Sequence, residues 1–557
     1  MSLTIIDNLN RLKPGGTGEL FLANRVDGEA YLREYVKLIG ELSRDYQSDA
    51  WWRYPLASKD YYSSAFFSDL VCFDQIVEEL KRRQSFIVYV PSRALRAALV
   101  AYCRERSLPV TIIEARFARL VRPVKSWLVR LKNRLLFVAK EIGKTMIARF
   151  YLARKLKTFD RVGVTVLRTW LLERSVVRCP FVDDYFGALP EYLKEYNLLI
   201  VGGVLGNYWR TIKAMAKNPA PLLAQETFLK IFDPLRAVLD DRHGLIQVKR
   251  PVLFNGKEIS ALLNATLRQE HEQGQTLNNS IYYYYARRLA EKVAVERYIL
   301  THENYPWEKM SLLAIKRYAA KAATIGYQHS ALYPALTNVY LGPAEQKIVP
   351  FPDRIITLGE VTADFLINKG GYERDKIKVG CALRFKTGTA LLPPSGKKVL
   401  TVLGCQPRAG MMIDWLTQAF QRTDYQVVLR PHPASPLRGK VPFTVSNSDL
   451  LTDLTEAAVV LYDLSAVGLE ALALGRPVVH LRFDDLLSFD PLLGFRGKSE
   501  ASSPSELLSK VAWIMAMDGG QRLEMAEKGV EFVKRYLAAV TPEKMMLFTE
   551  KRSSYAR

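Results

Sequence analysis

No apolar run in this sequence reaches the roughly 18 to 20 residues that a bilayer-spanning helix needs. The longest candidates, such as Tyr196–Leu205, carry the Gly-Gly of a strand–loop junction. The N-terminus MSLTIIDNLN lacks a basic stretch followed by an apolar core, so an export signal is not expected and a cytoplasmic protein is. Cysteine is scarce and odd in number: Cys72, Cys103, Cys179, Cys381 and Cys405 are scattered without a CxxC pair, which excludes a disulfide framework and gives no support to a zinc site. The six histidines never fall at metal-ligand spacing, and no Asp-x-Asp triplet occurs anywhere. That absence argues against two carboxylates holding a diphosphate through a divalent cation, so neither a metal nor another cofactor is expected.

What is present is hydrophobic content of 49% and charged content of 24% in 557 residues, enough for two or more packed domains. The net charge of +22 is unevenly placed: between Arg116 and Arg161 there are fourteen Lys or Arg against only Glu141 and Asp160. There Trp127, Leu131, Leu135, Met146 and Phe150 interleave with basic residues at helical intervals, the composition of an amphipathic helix on an anionic membrane surface. A helical insertion packed on its own protein is the plain alternative. A nucleic-acid patch is the weaker one, because no reader motif accompanies the charge, and nucleic acid is not expected as a partner.

Short apolar strands alternate with amphipathic helices along most of the chain. Strands are expected at Ser85–Pro91, Leu108–Glu114, Asn197–Gly203, Arg297–Glu303, Ala322–His329, Asp353–Gly359 and Lys376–Ala382. A second series starts at Lys398–Gly404, runs through YQVVLRPHP, AAVVLYD and PVVHLRF, and closes with helices around Ser505–Met517 and Gln521–Leu537. Between the series, Ala390–Lys397 (ALLPPSGK) reads as a linker. This βαβ grammar predicts an α/β protein with two Rossmann-like domains, 1–389 and 398–557, separated by a cleft, with the basic helical insertion at about 116–161 in the first. The first sixty or so residues, including the Trp51, Trp52 and Tyr54 of DAWWRYP, resist assignment.

The chemistry concentrates in Val428–Pro436 (VLRPHPASP) and Leu461–His480 (LYDLSAVGLEALALGRPVVH). In an open parallel sheet, ligands sit outside the carboxyl ends of the strands, where a helix N-terminus offers free N–H groups to an anion. Arg430 adds a fixed charge there, and His432, held by Pro433, adds an imidazole donor. Ser465 is the expected N-cap of a helix that ends at Gly475. The Ser465 hydroxyl and the Ala466 amide would meet a phosphate. The plainer readings are a strand-end histidine satisfied by its own domain and a well-capped structural helix.

Over roughly residues 295–490 these motifs resemble the C-terminal half of GT-B glycosyltransferases of bacterial surface-polysaccharide assembly. The resemblance is strongest to His-Pro-motif sialyl- and Kdo-transferases and more distant to teichoic-acid glycerophosphotransferases. It implies that His432 and Arg430 bind the donor phosphate and assist its departure, that Glu470 holds the donor ribose, and that Gly404 lies under the nucleotide. It also implies a general base at the end of the strand before HENYPWEK. Glu303 is the residue of the right type there, although the acidic triplet of those families is missing and Glu303 could instead cap a helix beginning near Pro306. His302, Gln328 and His329 are the expected acceptor-side or cleft residues, and Asp183 and Asp184 the reserve bases. The expected activity is inverting, metal-independent sugar transfer from a nucleotide-activated donor, such as a CMP-activated keto-sugar acid, to an oligosaccharide or lipid-linked acceptor at the inner membrane face. A CDP-polyol phosphotransferase and a catalytically idle membrane-associated scaffold of the same fold are the alternatives.

Overall fold

The computed structural model describes residues 2–6, 26–82, 85–90, 92–113, 116–160, 162–385, 394, 396–405, 408–432, 435–437 and 439–551. Most of the expected linker 390–397, and Pro433, lie outside them.

Two large sheets, parallel throughout, dominate the chain. The first runs Ile377–Val379, Arg354–Thr357, Ala323–Tyr327, Val295–Thr301, Val164–Leu171, Leu198–Val204 and Leu222–Ala224 from edge to edge. Numbered by chain order within the sheet, that is 7-6-5-4-1-2-3. The second runs Thr444–Val445, Gln426–Arg430, Lys398–Val402, Val459–Tyr462, Val478–Leu481 and Ser499–Ala501, which is the 3-2-1-4-5-6 order of a Rossmann sheet. Strands such as LLIVGGV and VVLY are buried on both faces, as a parallel sheet covered by helices on each side requires. In both sheets the direction of winding reverses between the first and fourth strands, and that reversal opens a crevice at their carboxyl ends. The two-domain α/β architecture with a cleft is thus the one the βαβ rhythm predicts.

Three features differ from the sequence reading. Ser85–Tyr89 and Val110–Ile113 are strands, but they flank Ser2–Ile6 in a separate three-stranded parallel sheet, so the described residues of 1–389 hold two parallel sheets besides the short antiparallel pair Leu253–Phe254 and Lys257–Glu258. The unassigned segment after Ser48 folds into two short 3-10 turns, Trp51–Arg53 and Leu56–Ser58, and Trp51, Leu56 and the intervening Tyr54 are wholly buried in the core of that region. At the other end, the chain leaves helix Gly519–Tyr536 and returns to the first large sheet. Ala538 bridges it by accepting from the Ala382 amide and donating to the Leu358 carbonyl, both at 2.9 Å, and the Thr549 carbonyl accepts from Arg297 at 2.6 Å. The residues from Ala538 to Thr549 therefore return to the N-terminal half.

The basic segment is one helix, Arg116–Thr158, of 43 residues. At 1.5 Å per residue it is about 65 Å long. On one face Ala148, Leu152 and Leu156 join the core of the large N-terminal sheet, while Phe137 packs with residues of helices Asp233–Arg242 and Gln275–Lys292, and Glu141 is buried and accepts from the Tyr285 hydroxyl at 2.6 Å. Another face leaves Trp127, Leu128, Leu131, Leu135, Met146 and Phe150 exposed, Phe150 by 82%. Among the described residues, no helix is long and apolar enough to cross a membrane.

Candidate functional site

The crevice of the N-terminal sheet opens where Val295–Thr301 ends. The chain turns there through Asn304, at φ +62°, and enters helix Pro306–Tyr318. Glu308, in the first turn of that helix, ties the turn down: its carboxylate accepts from the Glu303 amide at 2.9 Å and from the Asn304 amide at 2.8 Å. The helix start near Pro306 is as expected, but Glu303 does not cap it: Tyr305 holds the N-cap position and no side chain caps the helix. The Asn304 side chain donates to the Asn338 carbonyl at 2.6 Å. Glu303 is half-buried, with Oε1 accepting from the Ser330 hydroxyl at 2.9 Å. Burial, reinforced by the Glu308 charge, lifts its carboxyl to about 7, against the opposing influence of the Ser330 hydrogen bond and of Arg384.

The three neighbours expected in the cleft stand behind it. His302 is buried against Phe351 and Tyr372, with Nδ1 3.3 Å from Glu308. Gly326 makes that room, since a Cβ there would come within 2.9 Å of both His302 and Pro352. Gln328 is buried and braces the turn that carries Ser330, donating to the Ser330 carbonyl and accepting from the Leu358 amide at 3.4 Å. His329 is buried beside Tyr185, and desolvation, helped by Arg384, pulls its imidazole down to about 3, which keeps it neutral. Asp183 is nearly inaccessible and accepts from Thr169 and from the Tyr185 and Phe186 amides, so it holds a loop.

Across the gap, a cavity of about 410 Å³ lies at the switch point of the C-terminal sheet. Val402, Leu403, Arg430 and Pro431 from strand ends, His432, and Leu464 to Val467 from the start of the next helix form its C-terminal side; Ser330, Ala331 and Tyr333 form its N-terminal side. Arg430 is not a free charge: it is bound to Asp453 at 2.6 Å and to the Ser448 carbonyl at 2.9 Å. His432 is exposed, with Nδ1 3.6 Å from the Cys405 sulfur. The helix is Val467–Ala473 with Ala466 at the N-cap position, one residue later than expected, and the Ser465 hydroxyl accepts from the Val467 amide at 3.2 Å. Glu470 lies in that helix near Arg384 and Arg430, and burial raises its carboxyl above the ordinary value. Gly404 is buried just past Leu403 and does not line the cavity.

Arg384 was not singled out from the sequence, yet it lines this cavity and acts on both Glu303 and Glu470. The Tyr327 hydroxyl positions it by donating to the Cys381 carbonyl at 2.9 Å and accepting from the Leu383 amide at 3.0 Å. A Cβ on Gly187 would fall 2.0 Å from the Leu383 carbonyl oxygen, so the chain passes there only because residue 187 has none. The available signal was a basic residue two positions past the expected strand Lys376–Ala382. Ser330 and Tyr333 were likewise missed, lying one and four residues beyond the expected His329.

Among the described residues, one grouping has metal-ligand character: His480, Asp490 and Glu500. The Lys498 ammonium is already ion-paired with Asp490 and lies 3.2 Å from Glu500, and the Tyr462 hydroxyl donates to Asp490 at 2.8 Å. A lysine thus supplies the positive charge these carboxylates face.

No protein-family model matches the chain, and no curated protein does. Solved structures similar to it include a glycosyltransferase from Rickettsia africae, at 10% identity and a TM-score of 0.40, covering 70% of this chain and 97% of that one. The glycosyltransferase SnogD from Streptomyces nogalater is 14% identical with a TM-score of 0.37, covering 68% and 96%. The wall teichoic acid polymerase TagF is 11% identical with a TM-score of 0.35, covering 77% and 96%.

Proposed function

We propose that this chain is an inverting transferase that moves a sugar from a nucleotide-activated donor to an acceptor hydroxyl. The observation that carries the reading is the placement of Ser330, which hydrogen-bonds Glu303 and also lines the cavity at the opposite switch point. A base and an anion site thereby share one cleft. Glu303 takes the proton of the acceptor hydroxyl, and the oxygen attacks the anomeric carbon. The bond from that carbon to the donor phosphate breaks, and its electron pair leaves with the phosphate. Arg384, His432 and the amides around Ser465 and Ala466 stabilise that leaving group, in the role a metal plays elsewhere. A donor such as a CMP-activated keto-sugar acid meets these requirements. Incubation with CMP-, CDP-, UDP- and GDP-activated donors tests the reading: a product containing sugar without phosphate supports it, whereas phosphate carried into the product shows polyol-phosphate transfer.

We also propose that helix Arg116–Thr158 rests on an anionic membrane surface, where a lipid-linked acceptor would be presented. Its exposed apolar face beside Lys132 and Lys140 supports this. Each basic residue near such a surface contributes about 1 kcal/mol, screened by salt. The protein is expected to sediment with anionic vesicles at low salt and to lose that binding when four of its exposed Lys and Arg become Gln. Equal affinity for neutral vesicles would remove the proposal.

A further inference from the structure

The segment Asp60-Tyr61-Tyr62 has no part in the chemistry above, yet its construction is elaborate. Lys59 is ion-paired with Glu345 at 2.7 Å, both side chains wholly buried, and the ammonium of buried Lys309 donates to the Ser58 hydroxyl at 2.9 Å. Burying two lysines is expensive unless each is paired or hydrogen-bonded, so the arrangement holds the backbone of 56–60 firmly. Asp60 then accepts from the Tyr62 amide at 3.0 Å and turns the next two side chains outward.

Those two side chains are large, aromatic and exposed, Tyr62 by 59% and Tyr61 by 38%. They belong to a closed circuit of four rings. Tyr61 stands edge-on to Tyr62 at 5.8 Å and to Phe489 at 5.8 Å; Phe489 lies 5.7 Å from Tyr333; and the Tyr333 and Tyr62 hydroxyls are hydrogen-bonded to each other. Phe489 belongs to the C-terminal half and the tyrosines to the N-terminal half, so the circuit spans the cleft. Tyr333 also lines the donor-side cavity together with Ser330, whose hydroxyl is bonded to Glu303.

The wall carries little charge of its own. Arg408, stacked 4.9 Å over Phe489, is bound to Asp463 and to Asp485, each at 2.7 Å. An acceptor made of polyol phosphates would need an unpaired cation for each repeating charge, and this wall offers none from Arg408. A pyranose suits it better. The ring's axial C–H groups form a flat, apolar, faintly positive face that complements the negative face of an aromatic ring, while its hydroxyls can reach the tyrosine O–H groups.

We infer that Tyr61, Tyr62, Tyr333 and Phe489 form the acceptor subsite and that the acceptor is an uncharged saccharide ring, stacked so that one of its hydroxyls meets Glu303. The inference rests on the transferase reading for its link to Glu303; the sugar-binding wall itself does not. Saturation-transfer NMR on the full chain, with methyl β-D-glucopyranoside, methyl N-acetyl-β-D-glucosaminide and glycerol 3-phosphate as probes, tests it. Transfer to the ring C–H protons of at least one glycoside is expected, with none to glycerol 3-phosphate. Tyr62→Phe should retain the signal, and Tyr62→Ala should weaken binding about three- to tenfold, the loss of one ring contact. Melting by circular dichroism checks that each variant folds, with Tyr61→Ala taking the place of Tyr62→Ala if the latter does not. Absence of transfer to either glycoside, equal transfer in the folded alanine variant, or transfer to glycerol 3-phosphate would overturn the inference. Nucleotide-induced thermal shifts, recorded on the same samples, report the transferase reading separately: glycoside binding without any nucleotide effect would keep the wall and discard the transferase.

Discussion

On the N-terminal wall of the cleft, Glu303 is half-buried, its turn pinned by Glu308, Asn304 and Asn338, and its carboxyl lifted to about 7. On the C-terminal wall, His432 is exposed beside Cys405, and Arg430 already spends its charge on Asp453. The first wall is preorganised: desolvation and a neighbouring carboxylate raise the basicity of one acid, and the surrounding hydrogen bonds hold it in place. The second is the more exposed of the two. Under the proposed function, proton transfer falls to the rigid first wall and ligand capture to the more adaptable second. Arg384, in the connection between the halves, bears on both.

The largest effect expected from breaking the rigid side is at Glu303 itself. Glu303→Gln should cut turnover by about a hundredfold to ten-thousandfold with donor affinity retained, as loss of a general base does. The same substitution should raise the melting temperature above pH 7. A carboxyl whose folded-state value exceeds its ordinary one contributes stability that is full below about 4.5 and is lost as pH rises through about 7. The amide does not pay that cost. Wild-type turnover in the variant, or an unchanged melting temperature at pH 8, would move the base elsewhere.

On the adaptable side, Arg384→Ala and His432→Ala should each weaken donor binding by about ten- to a hundredfold, the equivalent of one charge-assisted hydrogen bond at about 1.5 to 3 kcal/mol. Calorimetric titration reads this directly, and the melting temperature without ligand should stay near wild type. Arg430→Ala should do the reverse in kind: it leaves Asp453, which is 1% exposed, without its cation and dependent on the Ser446 hydroxyl, and destabilises the C-terminal half by about 1 to 3 kcal/mol. If Arg430→Ala melts like wild type and only donor affinity falls, Arg430 is a ligand residue after all. A smaller effect concerns pH: kcat/KM should rise with pH through an ascending limb near 7, because the base works only when ionised. Glu303→Gln should abolish that limb, and an unchanged profile would detach it from this residue.

Much of the architecture was legible because parallel strands buried on both faces read as uninterrupted apolar runs. The central strand Val164–Leu171 escaped for the opposite reason: its sequence VTVLRTWL carries an arginine. Arg168 is nonetheless buried, stacked over Trp170 at 4.5 Å and Trp307 at 4.9 Å, a solution visible only once distant residues are assembled. At the site, strand-end position picked out Glu303, Arg430 and His432, since the chemistry of a parallel sheet lies at its carboxyl edge. Position along the chain could not tell which side chains turn inward. His302 and His329 are adjacent to cleft residues and yet buried, and Arg430 is matched by an aspartate twenty-three residues away. Arg384 and the Tyr61–Tyr62 pair reach the cleft only through contacts made by remote segments, which a one-dimensional pattern does not encode.

The most direct test of the central claim, that the C-terminal switch-point cavity holds a nucleotide-activated donor, is a thermal-shift series with CMP, CDP, UDP and GDP on the wild-type chain and on Arg384→Ala. A ligand bound only by the native state raises its melting temperature in proportion to the logarithm of its concentration over Kd. One nucleotide should raise the wild-type melting temperature in a concentration-dependent way, and the shift should shrink in Arg384→Ala. No shift with any of the four at millimolar concentration, or an undiminished shift in the variant, would contradict the assignment.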